Sequence, residues 1–104
     1  MNITVPGNRI VEFREEIGLS QIELSRLIGL SRSSVQKYER GNMKISLKII
    51  KILERIAPDA GKFLLGKNEV LFKSETARKI SIFKTIELLT KPRELEKFLD
   101  TANG

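Results

Sequence analysis

Glycine and serine residues divide the first half of this sequence into short helical segments. A glycine ends a helix well because it adopts the left-handed backbone conformation, and a serine starts one because its hydroxyl accepts a hydrogen bond from a free amide of the first turn. A serine follows each helix-ending glycine; the pairs are Gly18 with Ser20, Gly29 with Ser31, and Gly41 with Ser46. This alternation of helix-ending glycines and helix-starting serines predicts a bundle of short helices and leaves little room for a large sheet.

The first two segments each carry an apolar face. We predict that helix 1 starts after Pro6 and Gly7 with Asn8 as its cap, and that its inward positions are Ile10, Phe13, Arg14 and Ile17. Helix 2 opens with the spacing of a capping box, in which the Ser20 hydroxyl and the Glu23 carboxylate satisfy each other's backbone amides. Its inward positions are Leu24, Leu27 and Ile28.

The next two segments continue the pattern. Leu30 follows Gly29 as an apolar residue inside the turn, and Ser31 caps a third helix that points Val35 and Tyr38 inward. Ser46 caps a fourth helix that ends before Pro58, with apolar positions at Leu47, Ile49, Ile50, Ile52, Leu53 and Ile56. These positions are numerous enough to bury more than one side of the helix.

Beyond Pro58 the pattern is weaker but still helical. Residues 59–65 fit a short helix that ends at Gly66, and residues 67–73 fit either a loop or a short extended segment. Ser74 opens a long helix to about Thr90, with predicted inward positions Ala77, Ile80, Phe83, Ile86 and Leu89. Pro92 interrupts it, and a last amphipathic segment carries Leu95, Phe98, Leu99 and Ala102. We therefore divide the chain into a domain over residues 1–66 and a helical extension over residues 67–104.

Charge is distributed unevenly along the chain. The formal net charge is +6, and residues 31–51 contain six basic side chains against a single acid, Glu39. Residues 12–23, by contrast, contain four acids and one base. We expect a basic side that suits a polyanion and a separate acidic side.

Composition excludes most catalytic chemistry. The sequence has no cysteine and no histidine, so disulfides, zinc fingers and Cys/His nucleophile pairs are excluded. It also lacks a glycine-rich phosphate loop and acids at metal-ligand spacing, so we expect no enzyme, no cofactor and no metal. Charged residues interrupt every apolar run, and the first residues lack the features of a signal peptide, so we expect a cytoplasmic protein without a membrane partner.

Two short helices joined by a glycine-containing turn, the second of them basic, have the geometry that enters a DNA major groove. Residues 19–41, LSQIELSRLIGLSRSSVQKYERG, resemble the phage-repressor and Cro-like (Xre family) helix-turn-helix proteins. The resemblance covers residues 8–57 and implies an all-α, lambda-repressor-like bundle of four to five helices, here with a C-terminal helical extension. One departure lies in the loop after Gly41, where Ile45 stands in place of the proline that commonly precedes the capping serine.

The resemblance also implies a set of DNA-binding residues. Gln21 corresponds to an amide that sits over a phosphate and can brace a base-contacting side chain. Four residues of the third helix are expected to face the groove: Arg32, Ser33, Gln36 and Lys37. Of these, Arg32 and Lys37 suit the O6 and N7 acceptors of guanine. Three further residues are expected along the phosphate backbone: Arg40, Asn42 and Lys44.

Two charges stand where the helical pattern expects apolar residues. Arg14 shares the face of Ile10 and Ile17, and Glu39 lies four residues after the inward Val35. A buried charge needs a partner, so we predict that Arg14 and Glu39 pair across helices 1 and 3, as in the family. The alternative is that both long side chains reach solvent separately.

These patterns predict a sequence-specific regulator, a repressor, that binds double-stranded DNA through residues 31–40. The apolar stripe after Ser74 either pairs with a second copy to form a homodimer or folds back on its own domain. A different function is that of an antitoxin, whose residues after Pro58 bind a toxin while the first domain regulates the shared promoter. The order predicted after Ser74 favours the regulator, because toxin-binding tails are often disordered when free.

Overall fold

The computed structural model of the 104-residue chain describes residues 2–41 and 43–90. The described elements are, in chain order, β1 (Asn2–Val5), α1 (Gly7–Ile17), α2 (Gln21–Ile28), α3 (Arg32–Arg40), β2 (Met43–Ser46), α4 (Leu47–Ile56), α5 (Ala60–Leu64) and α6 (Glu75–Thr90). The predicted all-α class is confirmed, and the two strands form a small sheet that the sequence pattern did not predict.

Apart from the start of α1, the helices of the first domain begin at the predicted serine caps. Gly18 and Gly29 end α1 and α2 in the left-handed conformation, whereas Gly41 ends α3 with an extended backbone, at a φ of −163°. The Ser20 hydroxyl accepts from the Glu23 amide at 3.1 Å, and the Glu23 carboxylate accepts from the Ser20 amide at 2.9 Å, which completes the capping box. At the starts of α3 and α4, the Ser31 and Ser46 hydroxyls accept from the amides of Ser34 and Ile49, without a reciprocal carboxylate. The exception is Asn8, because α1 begins one residue earlier with Pro6 at its N-cap and without a side-chain cap. The extended backbone of β1 continues through Pro6, whose ψ of 135° leads directly into the helix.

The two strands pair in antiparallel register. Ile3 lies opposite Ile45 and Thr4 opposite Lys44. Val5 and Ile45 are buried, so the inner face of this ribbon packs on the core and its outer face meets solvent. The loop after α3, for which the sequence left the path open, is therefore a strand held in place by the N-terminal residues.

One apolar core joins the helices. Phe13 of α1, Leu27 of α2 and Val35 of α3 are essentially inaccessible to solvent, and so are Ile52 of α4 and Leu64 of α5. The predicted inward apolar residues of helices 1 to 4 lie in this core or pack against it, except that Leu47 is 37% exposed at the start of α4. Residues 67–73 form no strand, so the loop alternative holds for that segment, and Leu71 alone is fully buried there.

The face that α6 turns inward differs from the prediction. Its buried residues are Ser81, Thr85 and Leu88. The predicted inward residues Ile80, Phe83 and Ile86 are instead 52%, 73% and 52% exposed. The Ser81 hydroxyl donates to the carbonyl oxygen of Ile56 at 2.5 Å, and the Thr85 hydroxyl donates to the Ser81 carbonyl. Hydroxyl groups can thus face the core because they find backbone acceptors there. One of these acceptors is the Ile56 carbonyl in the last turn of α4, where helix carbonyls lack a partner within the helix.

An arginine holds α6 against α1. Arg78 Nε donates to the carbonyl oxygen of Glu16 at 2.9 Å, near the C-terminus of α1, and the guanidinium also lies within 4 Å of the carboxylates of Glu16 and Glu75. The predicted segment after Pro92, with Leu95, Phe98, Leu99 and Ala102, lies outside the described residues.

Candidate nucleic-acid interface

The turn between α2 and α3 fixes how α3 is presented. Gly29 adopts a φ of 71°, a left-handed conformation that favours glycine, and the Leu30 amide returns to the Ser25 carbonyl at 3.0 Å. Leu30 packs against the core, and Ser31 then starts α3 with its hydroxyl on the Ser34 amide. The turn is therefore closed at both ends by hydrogen bonds and anchored in its middle by an apolar side chain.

The inner and outer sides of α3 differ sharply. Val35 is completely buried and Tyr38 packs against the core, so the opposite side of the helix must face solvent. That outer side carries the exposed residues Arg32, Ser33, Lys37 and Arg40, with Gln36 half-buried beside them. The structure thus places the five predicted α3 residues on an accessible surface that is basic and contains no acid.

The structure brings Arg14 and Glu39 together between α1 and α3. Arg14 Nε donates to Glu39 Oε2 at 2.8 Å and Nη2 donates to Oε1 at 3.3 Å, while Nη1 donates to the Leu19 carbonyl at 2.9 Å. The two side chains are only 18% and 9% exposed. A bidentate pair of this kind fixes the rotation of α3 about its own axis, because the planar guanidinium donates to both carboxylate oxygens in one relative orientation.

Gln21 extends this network toward the outer surface. Its Nε2 donates to Glu39 Oε1 at 3.0 Å, and its Oε1 accepts from Gln36 Nε2 at 3.4 Å. The chain Arg14, Glu39, Gln21, Gln36 therefore runs from the buried ion pair to the candidate interface. Sequence reasoning placed Gln21 near a phosphate and did not connect it to Glu39, because the two residues are 18 apart in the chain and only the fold brings them together.

The remaining predicted residues follow α3. Lys44 is exposed on β2 opposite Thr4 of β1. Asn42 lies outside the described residues. Sequence reasoning did not place Thr4 beside Lys44, because the β-branched run Ile3, Thr4 and Val5 is only a weak signal for a strand.

The acidic side of the molecule is separate from this surface. A groove of about 570 Å³ lies between α1, α5, the loop before α6 and the start of α6. Its acidic lining residues are Glu12, Glu15, Glu16, Glu69 and Glu75, and Phe63, Leu71 and Phe72 supply apolar surface. No residue of α3 lines it, so the basic and acidic surfaces predicted from the charge pattern belong to different elements.

The described residues, 2–41 and 43–90, contain no group of three or more acidic, histidine or cysteine side chains placed to hold a metal ion. In that same part of the chain, every helix is too short or too polar to cross a membrane.

Comparison with known proteins finds similarity in the part of the chain that contains the helix-turn-helix. A family model described as Helix-turn-helix matches residues 10–56. Proteins of Pyrococcus furiosus and Thermococcus kodakarensis, both named as candidate HTH-type transcriptional regulatory proteins, are 41% and 40% identical over 54 and 58 residues. The matched segments cover 52% and 56% of this chain but only 17% and 18% of the two relatives, so the chain spans less than a fifth of their length.

A further relative belongs to a different functional class. Antitoxin PezA of Streptococcus pneumoniae is 36% identical over 47 residues, which cover 45% of this chain and 30% of the antitoxin. No solved structure matches the chain significantly.

The fold and the matched segment define the class: a helix-turn-helix domain, similar to those of the phage-repressor and Cro-like proteins. Residues 10–56, just under half of the chain, match the helix-turn-helix family model. Family and relatives together support a DNA-binding regulator of transcription.

Proposed function

We propose that this chain is a cytoplasmic, sequence-specific regulator that represses transcription by placing α3 in the major groove of double-stranded DNA. The observation that carries the proposal is the outer side of α3, which is exposed, basic and free of acids while the inner side is fixed in the core. A helix of this diameter fits the major groove of B-DNA, where each base pair displays a distinct pattern of donors and acceptors. Binding is the whole of the proposed activity, and no catalytic step is included.

Base recognition is assigned to the exposed face near the start and middle of α3. Arg32 lies in the first turn and has a guanidinium suited to bidentate contact with guanine, and Lys37 can donate to the same acceptors. Ser33 and Gln36 lie on the same side of α3. We call the surface formed by these four residues of α3 the reading surface. The hydrogen bond from Gln36 to Gln21 limits the orientations of the Gln36 amide, which favours one base partner over another.

Affinity without sequence preference is assigned to the positive charges around the end of α3. Arg40 and Lys44 are exposed there, and Asn42 lies between them in sequence. Gln21 retains a second amide hydrogen beyond the one it gives to Glu39, which we assign to a phosphate oxygen. Contacts of this type set register and salt dependence.

An in vitro selection of the purified chain against a random duplex library tests this function. We expect an enriched motif at near-physiological salt. In that motif, Arg32→Ala should lose the preference at one base position, by about 1–3 kcal/mol. Lys62→Ala on α5 removes an exposed positive charge outside the reading surface and should leave the motif unchanged. Equal loss on all sequences for Arg32→Ala would refute its assigned role, and no enrichment for the wild type would refute the proposed function.

We also propose that the protein acts as a homodimer through the extension over residues 67–104. The exposed stripe of Ile80, Phe83 and Ile86 supports this, because three large apolar residues at helical spacing lie outward on one helix while polar residues face the core. Dimers of this class bind two half-sites about one turn of DNA apart.

Sedimentation measures the dimer directly. We expect Phe83→Glu to weaken self-association by at least tenfold without lowering the melting temperature of the monomer, because the ring is 73% exposed. Ile22→Glu is the matched control, since it replaces an apolar residue that is 45% exposed on α2, outside the extension. A wild-type chain that stays monomeric at micromolar concentration would contradict the dimer.

The second candidate function is an antitoxin, which the similarity to Antitoxin PezA favours. In that case the apolar stripe of α6 would contact a toxin, and the helix-turn-helix domain would regulate the promoter of both genes. Binding of the purified chain to the product of an adjacent small gene, lost on Phe83→Glu, would favour this function over the homodimer.

A further inference from the structure

We propose that the outer face of the β1–β2 ribbon is a second DNA-contact surface, on which Thr4 and Lys44 together bind a backbone phosphate beside the groove that α3 enters. The inference rests on the proposed function, and it assigns a binding role to β1, a strand that the family resemblance does not include.

Register and burial place the two side chains side by side. Thr4 and Lys44 are directly opposite each other in the antiparallel pair, and such partners have Cβ atoms about 4.5–5.5 Å apart. Val5 and Ile45, their neighbours along each strand, are buried at 0% and 2% exposure. Because successive side chains of a strand alternate between faces, Thr4 and Lys44 both point to solvent, and both are exposed.

The ribbon is fixed to the end of the recognition helix through both strands. Lys44 follows Arg40 by four residues, which limits their separation to about 14 Å. β1 leads through Pro6 into Gly7, which lies directly against the backbone of the last turn of α3. A phosphate contact made by the ribbon is therefore held at a constant position relative to Arg32 and Lys37.

The chemistry of the pair suits a phosphate. A hydroxyl and an ammonium group are both common donors to phosphate oxygens. Neither side chain makes a hydrogen bond or an ion pair within the described residues, and the strands contain no acid. Such a contact adds affinity and salt dependence on every sequence and leaves the base preference to α3.

The salt dependence of DNA affinity tests this role. Each phosphate contact by a cation contributes about 0.9 to the slope of log affinity against log salt. Lys44→Ala should reduce the slope by about that amount, and Thr4→Lys should increase it. Between 50 mM and 200 mM salt, the added lysine should therefore make the loss of affinity about 3.5-fold larger than for the wild type.

Matched variants separate local contact from overall charge and from folding. Thr76→Lys adds the same charge at an exposed position at the start of α6, and it should change the slope by less than half as much. Thr4→Val removes the hydroxyl and keeps the β-branched shape that the strand favours, so it should weaken binding to all duplexes about threefold with an unchanged melting temperature.

The outcomes distinguish this inference from the proposed function. A wild type that binds duplex DNA, with Thr4→Lys steeper than Thr76→Lys and Thr4→Val weaker than wild type, supports the ribbon contact. A wild type that binds with equal slopes for Thr4→Lys and Thr76→Lys overturns the ribbon contact alone. A wild type that binds no duplex overturns both.

Discussion

Gly7 is the position where one added methyl group should perturb the molecule most. An ideal Cβ at Gly7 would lie 2.6 Å from the carbonyl oxygens of Gly41 and Tyr38 and 2.7 Å from that of Glu39. All three oxygens belong to backbone at or just beyond the end of α3, so no side-chain rotation can relieve the contact. Gly7→Ala must therefore move the start of α1 away from the end of α3.

Two opposing terms set the size of the effect. Alanine is favoured over glycine inside a helix by up to about 1 kcal/mol, and this gain is smaller at the first residue of a helix. Inserting a methyl group into a closely packed site costs about 1–3 kcal/mol, toward the upper end when the neighbours are backbone. We expect a net loss of about 1–2 kcal/mol, which lowers the melting temperature of a domain of this size by about 4–16 °C.

Thermal and urea denaturation followed by circular dichroism measure this loss. Gly41→Ala is the matched control, because Gly41 has no atom within 4 Å of its Cβ position and its φ of −163° is ordinary extended backbone. It should change stability by less than about 0.5 kcal/mol. If Gly7→Ala were as stable as Gly41→Ala, the close packing of α1 on α3 would be wrong.

Two other predictions concern the polar groups inside the fold. Glu39→Gln and Arg14→Met should each lower the free energy of unfolding by about 2–3 kcal/mol, because each leaves the other side chain without its ionic partner. The double variant should lose at least about 1 kcal/mol less than the sum of the two single losses. Additive losses in urea denaturation would show that the pair is not coupled. Ser81→Ala should lower the free energy of unfolding by about 1–2 kcal/mol, because it leaves the buried Ile56 carbonyl unsatisfied. Thr90→Ala removes a hydroxyl bonded at an exposed site and should cost less than about 0.5 kcal/mol in the same assay. Equal losses for the two variants would contradict the burial argument.

Local signals in the sequence were sufficient for the helices of the first domain. Ser20 and Glu23 form their capping box with contacts three residues apart, and Gly29 acts through its own backbone conformation, so neither depends on distant parts of the chain. The pairing of Arg14 with Glu39 joins residues 25 apart, yet it was accessible because a charge on an apolar face demands a partner.

Two features depended on information that local patterns do not contain. The ribbon pairs residues 2–5 with residues 43–46, and strands of four residues have a weak signal until the fold brings them together. For α6, the helical period identified an apolar face but not the element that the helix would meet. The Ile56 carbonyl offered a partner to Ser81, and this acceptor at the end of α4 helped decide which face turned inward.

The anchoring of α6 by Arg78 has a consequence for the spacing of DNA sites. Arg78 ties α6 to the C-terminal end of α1, while Arg14 ties the same helix to α3, so a single 11-residue helix connects the apolar stripe to the reading surface. A dimer formed through α6 would hold its two recognition helices in a nearly constant phase. Inserting one base pair between the half-sites rotates one of them by about 34° around the duplex axis. A dimer that holds its recognition helices in a constant phase could not follow that rotation. Operators bound by such a dimer should therefore tolerate changes of base outside the half-sites far better than changes in the number of bases between them.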